Sequence, residues 1–171
     1  AIYTIPSDGN LFVSSVHIEI ENKIIESKIM EKSKAKEKYD DALRFMQLAF
    51  DQIGPNMDET ELLSSSLDEF IRQRRIGYIA TLIVDKGVAY HQRFRRTGNL
   101  DDIRKAVGIY KVADQFLERI KTEQSDARSK LFWRSDRHRL YELAIEACYL
   151  SGDKSDAFYF FERSRAVLLN D

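Results

Sequence analysis

The sequence predicts an all-α fold, made of about three antiparallel helical hairpins. Three observations carry this prediction. Only 7 Gly and 2 Pro occur in 171 residues, while Leu, Ile, Ala, Glu, Lys and Arg dominate, a composition that favours helix. Apolar residues recur three and four positions apart along most of the chain. One octet spelling (small, apolar, any, apolar, bulky, any, any, small) recurs as ALRFMQLA at 42–49, AVGIYKVA at 106–113 and AFYFFERS at 157–164. On a helix, the two small residues and the bulky one share a face, so a partner backbone can approach closely while the bulky side chain fills the groove.

Element by element, Pro6 to Asn10 reads as a turn. Val13, Val16, Ile20, Ile24 and Ile25 then follow helical spacing from Leu11 to about Lys32. Ile18 and Ile20 alternate with Glu19 and Glu21, which leaves a strand open for residues 11–22. The lysine-rich EKSKAKEK, 31–38, reads as a bend before the first octet helix, about Lys38 to Ile53, giving a first hairpin over about 11–53. GPNMDET breaks the chain and SSSLDEF supplies serine caps for a restart. Helical periodicity runs from Ile71 to about Arg96 through Ile76, Ile79, Ala80, Ile83, Gly87 and Tyr90. TGNLDD is a stop and restart in which Gly98 or Asn99 takes the left-handed turn and an aspartate caps the next helix. The second octet helix reaches about Lys121 and closes a hairpin over about 67–121. After the polar KTEQSDARS, a helix from about Lys130 to Leu150, the turn SGDKSD and a final helix form the last hairpin, about 125–169. Ala144 and Ala147, just before Gly152, supply its small residues.

The chain is long enough for one domain with a real core, and no low-complexity linker divides it. With 27 basic and 28 acidic residues, bulk charge announces neither nucleic acid nor an anionic membrane. The absence of an 18-residue apolar run argues against a membrane span. One cysteine, Cys148, excludes an intrachain disulfide framework and fits a reducing, cytoplasmic setting. The opening AIYTIPSDGN and the closing apolar triplet Val167–Leu169 give the expectation of a segment cut from a longer protein.

No catalytic constellation emerges. Cys148 and His138 lie ten residues apart on one helix, about 15 Å along its axis, too far for a nucleophile and base. Cys148 stands among Tyr141, Ala144 and Ala147 and reads as a packing thiol. His17, His91 and His138 share no metal-ligand spacing, so neither a metal nor another cofactor is expected. The arginine clusters RQRR, 72–75, and RFRR, 93–96, raise a nucleic-acid reading. RFRR ends its helix and complements the macrodipole there, whereas RQRR opens one and needs Asp68 and Glu69 or a partner.

The order helix, glycine turn, helix with A-xxx-[FYM]-xx-[AS] resembles the tetratricopeptide repeat. Ala144, Ile145, Cys148, Gly152, Ala157, Phe161 and Ser164 fall at its intervals, and Gly87, Tyr90, Gly98, Ala106, Tyr110 and Ala113 do so with an extended turn. From about Lys34 to Leu169, the phrases TGNLDDIRKA, YKVADQFLERI, SKLF and FERSRAVLL are similar to the repeat region that precedes the caspase-like domain of bacterial CHAT proteins. The resemblance implies degenerate hairpins with long helices in a short right-handed superhelix, a downstream peptidase with its own His and Cys, and a sensing or restraining role for the repeats. Trp133, and the lack of a Gly before SKLF, depart from that pattern.

Two surfaces follow as candidates. Arg139, Glu142, Glu146 and Tyr149 share an arc of about 80 degrees on an otherwise apolar helix. By the repeat register they face a partner-binding groove together with Thr81, His91 and Gln92. Phe158, Tyr159, Phe160, Val167, Leu168 and Leu169 exceed what one hairpin partner can cover, so they suit a neighbouring domain or a second copy in a homodimer. The expected function is a non-catalytic protein-interaction and regulatory module that takes a protein or peptide partner. The alternative is a stand-alone helical scaffold, or a nucleic-acid-contacting module that uses the arginine clusters.

Overall fold

The structure, a computed structural model, describes residues 8–52, 58–61, 76–123 and 127–169. Within them the secondary structure is α-helical throughout: α1 Asp8–Asp51, α2 Ile76–Thr97, α3 Leu100–Glu123, α4 Ala127–Ser151 and α5 Lys154–Leu169. The all-α fold expected from composition and periodicity is what these residues form.

Each tight turn has a local chemical cause. α2 ends where Gly98 takes φ 77° and its amide donates to the Phe94 carbonyl, a left-handed stop that a side chain would strain. Asn99, rather than an aspartate, caps α3: its side-chain oxygen accepts from the Asp101 amide at 3.1 Å. α4 stops in the same way at Gly152, φ 75°, and Asp153 caps α5 by accepting from the Asp156 amide at 2.9 Å. The Asp58 carboxylate accepts from the Thr60 hydroxyl and from the Thr60 and Glu61 amides, and these bonds, Thr60's hydroxyl first, hold its pKa below the ordinary range.

Consecutive helices pack antiparallel. Along α2, Lys86 reaches Gln47 near the end of α1, while Arg93 reaches back to Asp40. Tyr110 of α3 lies on Gly87 of α2, and Arg93 binds Asp102 beside the turn. Between α3 and α4, Arg137 meets Glu118 and Tyr141 meets Asp114. Alternate helices also touch: α2 meets α4 through Arg95 and Glu146, and α3 meets α5 through Asp114 and Arg163. Two layers result, α2 beside α4 and α3 beside α5, with α1 laid against α2.

The core runs between these layers. Ala106, Ala113, Ala144 and Ala147 are at most 1% exposed, while Tyr110, Phe116 and Phe160 are fully buried among them. Ala157 is half-buried against the same cluster. Each buried aromatic contributes about 2–3 kcal/mol of transfer free energy as an upper estimate. Tyr110 shows what the octet spelling does. A Cβ built on Gly87 would stand 2.5 Å from the ring's Cε1, so only glycine leaves room for the ring between the alanines.

The first hairpin differs from expectation. α1 is one unbroken helix of 44 residues, which runs through EKSKAKEK and through residues 11–22, so neither a bend nor a strand forms there. Residues 11–38 carry neither Gly nor Pro, and Lys, Glu and Ala are good helix formers, so polarity alone did not break the helix there. The serine-cap restart, the RQRR cluster and Ile71 lie outside the described residues.

Candidate functional site

Of the residues singled out for the groove, the seam where α2 meets α4 brings Thr81 to Arg139 and His91 to Glu146. Arg139 lies 3.5 Å from Asp85 across the seam, over a cleft of about 20 Å³ lined by Ala80, Thr81, Val84, Leu117 and Arg139. That volume holds about one water-sized group. Thr81 is exposed and its hydroxyl donates to the Gly77 carbonyl, 3.0 Å away. Glu142 is exposed and stands 3.5 Å from His138 on its own helix. Tyr149 is 84% exposed. Gln92 is half-buried.

Glu146 and His91 play a different part. Glu146 is ion-paired with Arg95 and so ties α4 to α2. His91 is only 1% exposed and does not reach the groove surface. Its Nδ1 lies 3.5 Å from the Tyr110 hydroxyl, and its Nε2 has no hydrogen-bond partner. The Glu146 carboxylate is 3.9 Å from that nitrogen, which is ionic proximity if the ring is protonated and too long for a hydrogen bond. Burial pushes the imidazole pKa down, Glu146 partly opposes this and Arg95 adds to it. His91 therefore lies beneath the groove as a core residue.

The docking patch assigned to the last helix is also revised. Phe160 is fully buried, packing against Tyr141 and Tyr159 with ring centroids 6.5 and 5.2 Å away. Tyr159 is half-buried, and its hydroxyl donates to Asp114. Phe158 remains 68% and Phe161 51% exposed. The side chains of Val167, Leu168 and Leu169 lie outside the described residues.

The polar heart of the bundle is Asp114, to which the sequence reading gave no role. Its side chain is completely buried, and it accepts from the Tyr141 and Tyr159 hydroxyls at 2.6 Å each and from Arg163 Nε at 3.0 Å. Arg163 and Arg137 each also reach Glu118 at 3.1 Å. Burial, then the bond to Asp114, pushes the Tyr159 hydroxyl up to about 12 and the Tyr141 hydroxyl higher still, so both remain donors. The signal was present in the sequence: Asp114 falls four residues after Tyr110 and three before Leu117, on the apolar face of its helix, where an acid needs partners. Nearer the first turn, Arg93 clamps Asp102 and Asp40 and stacks 5.0 Å over the Tyr90 ring. Lys86, nearly buried, binds Glu59 at 2.5 Å.

Two lesser candidates are also placed. In RFRR, Arg93 and Arg95 are engaged by carboxylates of this chain, which leaves less positive charge for phosphate. Cys148 is buried, and loss of solvent pushes its thiol up to about 12, so it is a packing thiol at neutral pH. Among the described residues, no group of three or more His, Cys, Asp or Glu could hold a metal, and no helix is long and apolar enough to cross a membrane.

Comparison with known proteins corrects the family. The family model that matches is the Vault protein inter-alpha-trypsin domain, over residues 1–63, roughly a third of the chain. No curated protein and no solved structure matches. The expected tetratricopeptide region of a CHAT protein, and with it the caspase-like neighbour, is thereby overturned. The physical reason that the motif misled lies in Gly87, Ala106, Tyr110 and Ala113: close antiparallel packing of two helices can produce that spelling without shared ancestry. Over residues 1–63, the chain is similar to the Vault protein inter-alpha-trypsin domain.

Proposed function

We propose that the chain is a non-catalytic protein-interaction module whose partner lies along the seam of α2 and α4. The observation that carries this reading is Tyr149, an aromatic side chain 84% exposed on a helix whose other side is locked in the core by Leu140, Tyr141, Ala144, Ala147 and Cys148. A rigid helix that presents an exposed tyrosine on the same arc as Glu142 and Arg139, about two and three turns away, offers an aromatic anchor with charged residues along the same face. The ion pairs Arg139–Asp85 and Arg95–Glu146 couple that face to hairpin packing, so a bound partner would bear on the seam itself. The charged residues deepest in the protein support the non-catalytic part of the reading, since Asp114, Asp102 and Lys86 are committed to structural partners.

The test is selection from a displayed random-peptide library against the purified chain. Enriched peptides are expected to lose about tenfold or more in affinity on Tyr149→Ala and little on Arg104→Ala, an exposed position on α3 away from the seam. Peptides equally sensitive to both changes, or no enrichment at all, would remove the seam as the binding face.

A further inference from the structure

α1 is twice as long as the helix that packs against it. Its 44 residues span about 66 Å and the 22 of α2 about 33 Å. Where the two helices meet, α1 carries Tyr39, Leu43, Met46 and Phe50, with Leu43 9% and Phe50 0% exposed and the other two half-buried. Steps of four and three between these positions are the heptad spacing of one helix laid along another.

The same stripe continues towards the start of the helix. Lys36, Lys32, Ile29, Ile25 and Asn22 keep the spacing without a break, and all five are exposed, Ile29 by 62% and Ile25 by 54%. Half of one helix-binding stripe is therefore occupied by α2 and the other half is open.

The open half has a one-sided charge. Lys28 borders it, so that Lys28, Lys32 and Lys36 form a column with a rise of about 6 Å per step. Glu26 and Glu31, the glutamates beside this column, point about 100–120° away from Ile25 around the helix. Lys32 has no acid three or four residues away on either side, and Asp40, four residues beyond Lys36, is taken by Arg93. Among the described residues, none of the three lysines is ion-paired. Like charges at four-residue spacing oppose helix formation slightly, so the column does not serve the stability of α1 itself.

We propose that this half of α1 takes an acidic amphipathic helix of another protein, laid end to end with α2 on the same stripe. The apolar residues of that helix close on Ile25 and Ile29, and its carboxylates answer Lys28, Lys32 and Lys36. A second copy set stripe to stripe would bring more lysine and no acid, which disfavours self-pairing there. Phosphates would neutralise the lysines but leave the isoleucines in water. The surface is separate from the seam of α2 and α4, so each can fail without the other.

Isothermal titration calorimetry on the full chain tests the proposal with a synthetic peptide of three heptads, leucine at the a and d positions and glutamate at the flanking e and g. The peptide is expected to bind, less tightly as salt rises, and its counterpart with lysine at e and g to show no binding. Lys32→Glu and Ile29→Ser should each lower the affinity about tenfold or more, and Lys34→Glu, an exposed change on the opposite side of α1, by less than about twofold. Far-UV circular dichroism of each variant checks that helix content is unchanged. Failure of the acidic peptide to bind, equal binding of the lysine peptide, or equal sensitivity to Lys34→Glu would overturn the proposal. So would a loss with Lys32→Glu that Ile29→Ser does not share, the mark of a plain cationic surface open to phosphates.

Discussion

At the scale of single residues, two glycines on facing helices should respond to the same substitution with opposite signs. Gly87→Ala drives a methyl into the Tyr110 ring and should cost about 1–3 kcal/mol, because the fully buried ring must shift to admit it. Gly108→Ala puts a methyl where nothing lies within 4 Å, and should stabilise by about 0.5–1 kcal/mol through helix propensity and a restricted unfolded chain. Urea denaturation of both variants decides this, and equal shifts would refute the packing account. His91 makes a pH prediction. Its pKa is depressed on folding, first by burial, so the unfolded chain binds more protons below its ordinary value near 6.5. The stability that neutral His91 contributes is therefore complete above about pH 6.5 and lost progressively as pH falls from there towards the lower native pKa, at no more than about 1.4 kcal/mol per pH unit. Urea midpoints from about pH 7.5 down to about 5.5 should fall more steeply in the wild type than in His91→Gln. Parallel curves would assign the effect elsewhere. The buried alanines and Tyr110 were legible in the sequence because volume leaves a pattern. The burial of His91 was not, since a polar residue one turn from Gly87 reads equally as rim or core.

At the scale of helices, Asp114 is the bolt that holds α3, α4 and α5 together. Asp114→Asn keeps the shape but removes the charge that Arg163 and two tyrosines face, and should cost about 1–3 kcal/mol, moderated because Arg163 is 31% exposed and can turn to water. α5 is held by fewer neighbours than α3, so hydrogen exchange should accelerate along Lys154–Leu169 before it does along α3. Uniform acceleration would mean that the node stabilises the bundle globally. The turns at Gly98 and Gly152 were legible because glycine beside a polar cluster has few other uses. The continuity of α1 was missed for the converse reason. A lysine-rich run resembles a loop in polarity, yet without Gly or Pro nothing in it opposes helix, and an arm in water needs no apolar stripe of helical period to persist beside a packed end.

At the scale of the molecule, composition and period fixed the fold class, since seven glycines and two prolines leave few places for anything but long helices. They did not fix ancestry, because antiparallel packing writes the same small-and-bulky spelling into unrelated chains. The seam was readable in part. Arg139, Glu142 and Tyr149 fell on a polar arc, but the pairing of Glu146 with Arg95 joins positions 51 residues apart, beyond any local pattern. One consequence follows from the arm alone. A block with a rod standing some tens of ångströms beyond it meets more friction than a sphere of equal mass, and tumbles more slowly about its short axes. A single copy should thus leave a sizing column early, at the elution volume of a heavier compact protein.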